Sequence, residues 1–392
     1  MAAILSFNFL ASASLIWIFA VWIKRIFWMR HFREFNAPLK PSTSILSNAP
    51  KVTVIVPAKN EEKNIPNCLY HLFGQNYPNY EIIVVDDRSE DRTPHLLENF
   101  KKLSPVPFKV IRIEKLPEGW TGKNHGMFVA SKAATGDWLL YTDADTTHQP
   151  ESVSTAMRAV LEGNIDFLTL APETECRSFW EKTVQPLAVS SLALWFNSNR
   201  VNDDKNPAVL ANGQYILIKK EVYERLGGNE SVKNQVIEDV EFAKLARAKG
   251  FRVRFLNGTK LYATRMYSSL NEIKTGWTRI FTHLFNKNTS AILHKIVLFL
   301  FFSLWPFVLC ATEKLFWLKH SSHFNPQLLI LSAAVCLWII LIRFFGNRLL
   351  KCNPWYAFLH PLGSLVMIWI LSICLFRSLF NLPSVWKGQY YR

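Results

Sequence analysis

The sequence predicts an α/β domain built on a doubly wound, mainly parallel sheet, together with N- and C-terminal transmembrane helices. Two observations lead to this fold class. From Lys51 onward, short β-branched runs alternate with apolar residues at helical spacing, a pattern typical of parallel sheets with right-handed crossovers. Elsewhere, several long runs contain few or no charged side chains, as expected of segments that cross a hydrocarbon core of about 30 Å.

The predicted membrane segments are four apolar runs: Met1–Ile23, Ile296–Thr312, Leu328–Ile342 and Asn353–Phe376. The first and last are long enough to span a bilayer, whereas the middle two are marginal. The first run lacks a basic n-region and a small-residue cleavage site, so we expect a retained anchor rather than a signal peptide. Pro306 and Pro361 lie within the second and fourth runs, which leaves a re-entrant or interfacial segment open as an alternative for either.

The formal net charge is +15, and the excess of basic residues lies beside these runs rather than being spread over the chain. Basic residues follow the first and third runs: Lys24, Arg25, Arg30, Arg33, Arg343, Arg348 and Lys351. This distribution favours anionic lipid and membrane topology over nucleic acid. No aromatic-basic RNA-binding motif or helix-turn-helix pattern is present, so we expect no nucleic-acid partner. The six cysteines show no paired spacing, which argues against a zinc site or a disulfide framework.

The elements of the α/β domain follow in order along the chain. Runs rich in β-branched residues predict strands at Val52–Val56, Glu81–Val85, Phe108–Ile113, Trp138–Asp145, Phe167–Leu170, Val253–Leu256 and Lys260–Thr264, and a further strand is expected between Tyr215 and Lys220. Apolar residues at helical spacing predict helices at Ile65–Gly74, Thr93–Leu103, Asn124–Ala134, Glu151–Glu162, Lys220–Leu226 and Ile237–Lys249. Parallel strands bring their carboxyl ends to one edge of the sheet, which is where ligands bind in such folds.

The central stretch is Trp138–Asp145, an apolar run that ends in two carboxylates separated by Ala144. If the backbone stays extended, alternation places Asp143 and Asp145 on the same side of the strand. Two carboxylates there are suited to Mg²⁺ or Mn²⁺ that carries a diphosphate. The alternative is a solvated turn after a strand, since an isolated Asp-x-Asp is common.

Polar clusters also follow the first two strands, at Pro57–Glu62 and at Asp86-Asp87. Glu118–Asn124 lies in the sequence between Asp86-Asp87 and Asp143-Ala144-Asp145. It is a loop that contains two glycines, and it puts Lys123 at the start of a predicted helix. Lysine beside free backbone N–H groups suits a phosphate. Each cluster alone is compatible with an ordinary loop. Together they predict a nucleotide-diphosphate site with a metal.

Three later features bear on the acceptor. Asp239 lies in the first turn of a predicted helix, where favourable interaction with the helix dipole is an alternative to catalysis. Phe179–Phe196 is rich in apolar and aromatic residues and is interrupted by Pro186. It suits either a hydrophobic acceptor site or a helix of the protein core. Leu270–Phe285 has the apolar spacing and basic residues of an amphipathic helix that rests on a membrane surface.

These motifs, taken in order, resemble glycosyltransferase family 2, the inverting enzymes of the GT-A fold. The matching segments are Val56–Glu62, Val85–Ser89, Thr142–Asp145 and Ile237–Asp239, and the resemblance covers about Lys51–Ser290. Three further segments look like the membrane-anchored branch that includes carotenoid and hopanoid-associated glycosyltransferases: Gly119–Lys123, Asn212–Tyr215 and Arg265–Tyr267.

The resemblance implies roles for individual residues. The implied donor-binding residues are Pro57, Ala58, Asn60, Glu61, Asp87, Lys123 and Asp143, with Lys123 on the diphosphate. Asp145 is implied to ligate a divalent metal, Mg²⁺ or Mn²⁺, and Asp239 to be the catalytic base. The implied residues of the acceptor or diphosphate side are Gln214, Glu238, Arg265 and Arg279. One departure is Asp91-Arg92-Thr93, where many members have glycine in the middle and can adopt a positive φ.

The expected function is therefore transfer of a hexose from a nucleotide-diphospho-sugar, with UDP-glucose the expected donor, to a polyisoprenoid-derived lipid acceptor. A processive polysaccharide synthase is the alternative within the family, although Gly276–Arg279 lacks the Gln-x-x-Arg-Trp motif of such synthases. The alternative outside this family is a membrane transport or scaffolding protein whose α/β domain only binds nucleotide. Such a protein would not need Asp239.

The expected organisation is an anchor at 1–35, a linker at 36–50, a catalytic domain at 51–290 and a membrane region at 291–392. Within the catalytic domain we expect a donor half at 51–150, an acceptor half at 151–267 and an interfacial helix at 268–290. The basic residues after the first run predict a multi-pass protein of the cell membrane with its catalytic domain in the cytoplasm. An even number of crossings would leave the tail, with Arg377, Lys387 and Arg392, on the opposite side from its expected cytoplasmic position.

Overall fold

A computed structural model describes residues 2–35, 37–42, 48–196, 198–386 and 389–391. Parts of the predicted linker and the tail residues Lys387, Gly388 and Arg392 lie outside the described residues, as do the side chains of Arg30 and Arg33. The chain divides into two compact units. The sheet unit comprises Phe35–Glu175 and Trp195–Met266, and the helical unit comprises Met1–Glu34, Cys176–Leu194 and Tyr267–Arg392.

The sheet unit contains ten strands in its described residues: β1 (Val52–Ala58), β2 (Tyr80–Asp87), β3 (Phe108–Ile113), β4 (Trp138–Tyr141), β5 (Thr146–His148), β6 (Phe167–Ala171), β7 (Glu173–Thr174), β8 (Ile216–Lys219), β9 (Val253–Asn257) and β10 (Tyr262–Thr264). Seven of them form one sheet in the order β3-β2-β1-β4-β8-β6-β9. All neighbours are parallel except β8, which is antiparallel to both β4 and β6. The predicted mainly parallel sheet is therefore confirmed. A second sheet has the order β5-β10-β7.

Helices of the sheet unit connect these strands: α2 (Ile65–Phe73), α3 (Thr93–Leu103), α4 (Gly122–Ala133), α5 (Ser152–Glu162), α7 (Ser198–Val201), α8 (Lys220–Arg225) and α9 (Glu238–Ala248). The core lies where they pack on the sheet. Val54, Ile82 and Leu140 on three adjacent strands are fully buried there, together with Leu69 and Leu72 of α2. Burial on both faces explains why these strands read as continuous apolar runs in the sequence.

The predicted strand over Asp143 and Asp145 is wrong, because β4 ends at Tyr141 and the two acids lie in a turn. Pairing between β1 and β4 stops at Ile55 and Tyr141, and the Thr142 amide then donates to the Ile55 carbonyl at 3.1 Å. The chain turns there to enter β5, which pairs antiparallel with β10 in the second sheet. The turn is closed by the Thr146 hydroxyl, which donates to the Asp143 carbonyl at 2.7 Å.

The helical unit contains α1 (Ala2–Phe35), α6 (Phe179–Trp195), α10 (Leu270–Leu284), α11 (Thr289–Phe299), α12 (Trp305–Leu318), α13 (Pro326–Leu349) and α14 (His360–Leu379). A hairpin of β11 (Ser384–Trp386) and β12 (Gln389–Tyr391) follows them. Within the described residues, four helices are long and apolar enough to cross a membrane: Ser6–Phe27, Thr289–Leu318, Pro326–Leu349 and Pro354–Leu379.

The two runs that were marginal by length belong to longer helical segments. Thr289–Leu318 joins α11 and α12 through a π-helical turn at Leu300–Leu304. That turn lies just before Pro306, which cannot donate to the helical ladder, so the backbone rearranges upstream of it. Likewise, α13 extends beyond Leu328–Ile342 in both directions, since Asn325 caps its first turn.

Candidate active site

The loops after β1 and β2 are tied to each other at the carboxyl edge of the sheet. The Asn60 amide donates to the Ser89 hydroxyl at 2.9 Å, and the Asn60 side-chain oxygen accepts from the Glu90 amide at 2.8 Å. The Glu61 amide donates to the Thr93 hydroxyl at 2.8 Å. Since the two strands are adjacent and parallel, these bonds hold both loops in one fixed arrangement beside the ends of β1 and β2.

The predicted donor residues on β1 and β2 occupy different environments. Ala58 is 2% exposed and belongs to the core, whereas the neighbouring Pro57 is partly exposed. Asp87 ends β2, and its carboxylate accepts from the Arg88 guanidinium at 2.8 and 3.2 Å. A side chain at Gly122 would lie 2.0 Å from the Asp87 carboxylate, so glycine is required where α4 begins against this acid.

The turn at Asp91-Arg92-Thr93 shows why glycine is not needed there. Arg92 has φ −75°, which any residue adopts. The Asp91 carboxylate accepts from the Thr93 amide at 2.9 Å and from the Glu62 amide at 3.0 Å. The departure from the family pattern therefore leaves this turn unstrained.

Lys123 lies at the centre of an acidic cluster. Its ammonium is 2.9 Å from the Asp143 carboxylate and 3.0 Å from the Glu238 carboxylate. Thr121 caps α4 by accepting from the Asn124 amide at 3.2 Å, which fixes Lys123 in the first turn of the helix. Burial acts to lower the pKa of Lys123, but the charges of Asp143 and Glu238 outweigh it and raise this pKa above its usual value. Lys123 is therefore a permanent cation.

Asn124 explains how residues far apart in sequence meet at Lys123. Its buried amide group donates to the Val232 carbonyl at 2.8 Å, and the Thr121 amide donates to the Lys233 carbonyl at 2.8 Å. These bonds fasten the start of α4 to the segment that leads into α9. The first turn of α9, with Glu238 and Asp239, is thereby held beside Lys123.

Asp239 is partly buried, and one of its oxygens accepts from the Gly213 amide at 2.7 Å. Burial and the charge of Glu238 raise the pKa of Asp239 to about 7, although Lys123 acts in the opposite direction. A side chain at Gly213 would lie 2.9 Å from the Lys123 ammonium and 3.3 Å from the carboxylates of Asp239 and Glu238. Gly213 therefore lies at the point where these groups converge, a role that the sequence did not predict.

The remaining predicted residues are placed as follows. The Gln214 side chain is buried and donates to the Thr264 hydroxyl of β10 at 2.9 Å. Arg265 comes directly after that threonine, in the sheet unit. Arg279 lies on α10, in the helical unit. Glu61 accepts from the Asn64 side chain at 2.7 Å in the loop after β1.

A buried polar network lies behind the turn that carries Asp143 and Asp145. The Thr142 hydroxyl donates to the Gln214 carbonyl at 2.9 Å, and the Thr146 hydroxyl donates to the Asp143 carbonyl. His148 Nε2 lies 2.9 and 3.1 Å from these two hydroxyl oxygens. Because each hydroxyl has already used its single proton, His148 Nε2 must be the donor. Burial lowers the pKa of His148 to about 3, so the imidazole is neutral.

We expect His148→Leu to lower the free energy of unfolding by about 1–3 kcal/mol, because it leaves two buried hydroxyl oxygens without their donor. His148→Gln should recover most of that loss, since its side-chain amide can donate in place of Nε2. Ser152→Ala is the matched control, because Ser152 is buried beside the same ring but lies 3.3 Å from the opposite ring nitrogen and 3.4 Å from the Tyr215 hydroxyl. Thermal unfolding of the three purified variants measures the effect. Equal losses in His148→Leu and Ser152→Ala would contradict it.

Asp143 and Asp145 fit a divalent metal that is also bound by a diphosphate. The two acids lie two residues apart in the short turn between β4 and β5. No group of three or more acidic, histidine or cysteine residues among the described ones is arranged to hold a metal unaided. Mg²⁺ is commonly held by one or two carboxylates and substrate phosphates. This donor set and the adjacent Lys123 match that arrangement.

Part of the chain matches a family of known proteins. Residues 53–227 match the family described as "Glycosyl transferase family 2". The chain is 26% identical over 275 residues to 4,4'-diaponeurosporenoate glycosyltransferase of Staphylococcus aureus strain N315, covering 69% of this chain and 71% of the relative. The corresponding protein of strain MRSA252 is 25% identical over 315 residues, covering 78% and 81%.

Among solved structures, the fold is similar to mannosyltransferase PcManGT from Pyrobaculum calidifontis, determined with GDP-Man and Mn²⁺. The TM-score is 0.53 at 18% identity, and the match covers 95% of this chain and 99% of the other. At this identity the likeness concerns the fold, which it confirms as GT-A-like with additional apolar helices.

Proposed function

We propose that this chain, in which residues 53–227 match the family described as "Glycosyl transferase family 2", transfers a hexose from UDP-glucose to a polyisoprenoid-derived lipid. The Staphylococcus aureus relatives are named for 4,4'-diaponeurosporenoate, which supports a lipid acceptor of this kind. The four apolar helices support a catalytic domain that works beside a membrane. The solved mannosyltransferase holds a nucleotide-sugar and Mn²⁺, which supports a metal-dependent reaction.

The observation that carries the proposal is the convergence of Lys123, Asp143, Glu238 and Asp239 around Gly213. A protein that only binds nucleotide needs a cation for the diphosphate. Such a protein does not need Asp239, a partly buried carboxylate whose pKa is raised to about 7. Such a carboxylate suits a general base, because proton transfer is most efficient when the pKa lies near the working pH.

The proposed reaction is a single displacement. As the acceptor oxygen attacks C1 of the donor sugar, its proton passes to the Asp239 carboxylate. The new C1–oxygen bond forms while the bond from C1 to the diphosphate breaks, and the nucleotide diphosphate leaves with the bonding electron pair. Attack from the face opposite the leaving group inverts the anomeric centre.

The other residues stabilise charge and position the donor. Lys123 would exchange its carboxylate partners for the diphosphate, where its fixed positive charge offsets the negative charge of the leaving group. A divalent metal bound by Asp145 and Asp143 would supply Lewis-acid stabilisation at the same oxygens. Arg265 and Gln214 would lie on the acceptor or diphosphate side, and Asp87, Asn60, Glu61, Pro57 and Ala58 would form the nucleoside end of the site.

Direct incubation tests the proposal. Purified protein is mixed with radiolabelled UDP-glucose, other labelled nucleotide sugars or GDP-mannose, together with a lipid extract of the host. We expect label from UDP-glucose to enter the organic phase as a single-sugar lipid. Label in a growing polymer would instead support a processive synthase, and nucleotide binding without any transfer would contradict catalysis.

We predict that kcat/KM for transfer falls about tenfold per pH unit below about pH 7, because protonated Asp239 cannot accept a proton. Glu238→Gln should move the midpoint to lower pH, since it removes a negative charge that raises the pKa of Asp239. Glu241→Gln is the control, because Glu241 pairs with Lys244 on the same helix at 2.6 Å. A midpoint that is the same in both variants would argue that another group controls the profile.

For topology, we propose a cytoplasmic catalytic domain in the cell membrane. The apolar residues Ile273, Trp277 and Phe281 of α10 are buried within the protein, so this face of the helix is not available to rest on a bilayer surface. In a variant without native cysteines, a cysteine introduced at Asn99, which is exposed on α3, should resist an impermeant thiol reagent in intact cells. Labelling at Asn99 would reverse the orientation. The same reagent applied to a cysteine at Ser384 would locate the tail, because the three apolar helices that follow a cytoplasmic catalytic domain would leave the tail outside if all of them cross.

A further inference from the structure

The helical unit contains a buried cation without an anionic partner. Arg343 is 7% exposed and lies within the last two turns of α13. One of its guanidinium nitrogens donates to the Thr183 carbonyl of α6, while Nε and Nη1 have no hydrogen-bond partner. Among the described residues, none of the ion pairs involves Arg343. A buried charge in this condition is strongly unfavourable unless something else pairs with it.

Further unpaired polar atoms lie on the helix that faces Arg343. A side chain at Gly363 of α14 would be 3.1 Å from Arg343 Nη1, so the backbone of α14 comes close to the guanidinium. His360 is 3% exposed on the preceding turn, and both of its ring nitrogens lack a partner. Ser364, one turn beyond His360, is fully buried, and its hydroxyl also lacks a partner. Buried polar atoms without partners point to a missing ligand or water.

The chemistry of these atoms selects an oxyanion. Arginine has only donors, and the sole acceptor that it meets is the Thr183 carbonyl. His360 and Ser364 can each donate as well. A carboxylate or phosphate accepts several hydrogen bonds at once and neutralises the guanidinium, and arginine recognises both groups through its planar fork.

The residues around Arg343, His360 and Ser364 favour an amphiphile over a small ion as the ligand. The His360 ring stacks on Phe307, with centroids 5.8 Å apart and planes at 26°. Leu187 reaches the same place, since its Cδ1 would lie 2.7 Å from a side chain at Gly363. Arg343 is near the end of α13, and His360 begins α14, so both occupy the same end of two candidate spans. Lipid headgroups lie at the ends of membrane spans.

We propose that Arg343, His360 and Ser364 bind the oxyanion of an anionic amphiphile, a carboxylate or phosphate carried on a hydrocarbon chain, inside the helical unit. All of these residues belong to the helical unit, and the proposal does not depend on the function proposed for the sheet unit. Binding of this ligand neutralises the one cation that α6, α13 and α14 bury together.

Binding of radiolabelled oleate to the full-length protein in detergent tests the site. Unlabelled oleate and phosphatidic acid should compete, whereas methyl oleate and diacylglycerol, which lack the charge, should not. Inorganic phosphate and acetate should compete poorly, because they lack the hydrocarbon chain. Arg343→Gln should weaken oleate binding roughly tenfold or more, since charge-assisted hydrogen bonds are lost. Arg348→Gln should bind as the wild type does, because Arg348 is exposed on the same helix.

Two outcomes would overturn the proposal: equal competition by methyl oleate, or equal oleate affinity in Arg343→Gln and Arg348→Gln. If Arg343→Gln fails to fold, Arg343→Lys keeps the charge without the planar fork and should show weakened binding. Wild-type protein gives an independent measurement, because oleate should raise its melting temperature with rising concentration and methyl oleate should not. No stabilisation by either oleate or phosphatidic acid would also exclude the site.

Discussion

Asp239→Asn is expected to lower turnover by roughly 10²–10⁴-fold while leaving donor affinity close to that of the wild type. Asparagine has the shape of aspartate and can still accept from the Gly213 amide, so the contact at 2.7 Å is retained. It cannot take up the proton of the acceptor. Single-turnover transfer measures the chemical step, and titration with UDP measures donor binding separately.

Glu241→Gln provides the matched control for this experiment. Glu241 lies in the same first turn of α9 but pairs with Lys244 instead of joining the cluster around Lys123. Its turnover should remain near that of the wild type. If Asp239→Asn lost donor binding and turnover to the same extent, Asp239 would belong to the donor site or to folding, and the general-base assignment would be incorrect.

Asp145→Ala should abolish metal-dependent transfer, and EDTA should do the same to the wild type. The reason is that the diphosphate leaves with negative charge that Lys123 alone does not balance, and the carboxylate in the turn after β4 is the proposed ligand of the balancing cation. Transfer assayed over a series of Mg²⁺ and Mn²⁺ concentrations measures the effect. Electron paramagnetic resonance of free Mn²⁺ in the presence of UDP measures binding without relying on activity.

Asp137→Asn is the control for Asp145, because Asp137 precedes the same strand at its opposite end. It accepts from the Lys51 amide at 3.0 Å, which asparagine can also do. Full transfer by Asp145→Ala, or full transfer in EDTA, would show that this acid does not serve a metal. Loss of activity with unchanged Mn²⁺ binding would assign Asp145 to another role.

Much of the fold was predictable because its pattern is local. Strands buried on both faces need continuous apolar runs, and the helices between them need apolar residues at helical spacing, so α3 and β3 begin and end at the predicted residues. The strand order follows partly from the same pattern. Neighbouring parallel strands must be joined by crossover connections, and these connections are almost always right-handed. The antiparallel direction of β8 was not predictable, since three apolar residues followed by Lys219 do not indicate the direction of a strand.

The acid pair shows where local pattern fails. An apolar run that ends in Asp143-Ala144-Asp145 reads as one strand, yet the ladder with β1 stops at Tyr141. Thr142 leaves that ladder and donates to the carbonyl of Gln214, which is distant in the sequence, while His148 of β5 meets both Thr142 and Thr146. The contact with Gln214 cannot be recognised from the sequence around the acids, so the turn could not be distinguished from a continuing strand.

The sequence by itself determined the fold class, the apolar segments and the kinds of side chain available for chemistry, because periodicity, hydropathy and charge are properties of neighbours along the chain. Only the tertiary structure decided which charges meet. Lys123 lies beside Glu238 because Asn124 and Thr121 bind the segment before α9, more than a hundred residues away. Gly213 gains its role in the same way, because its closeness to Lys123 and Asp239 depends on distances that folding creates and that linear spacing does not encode.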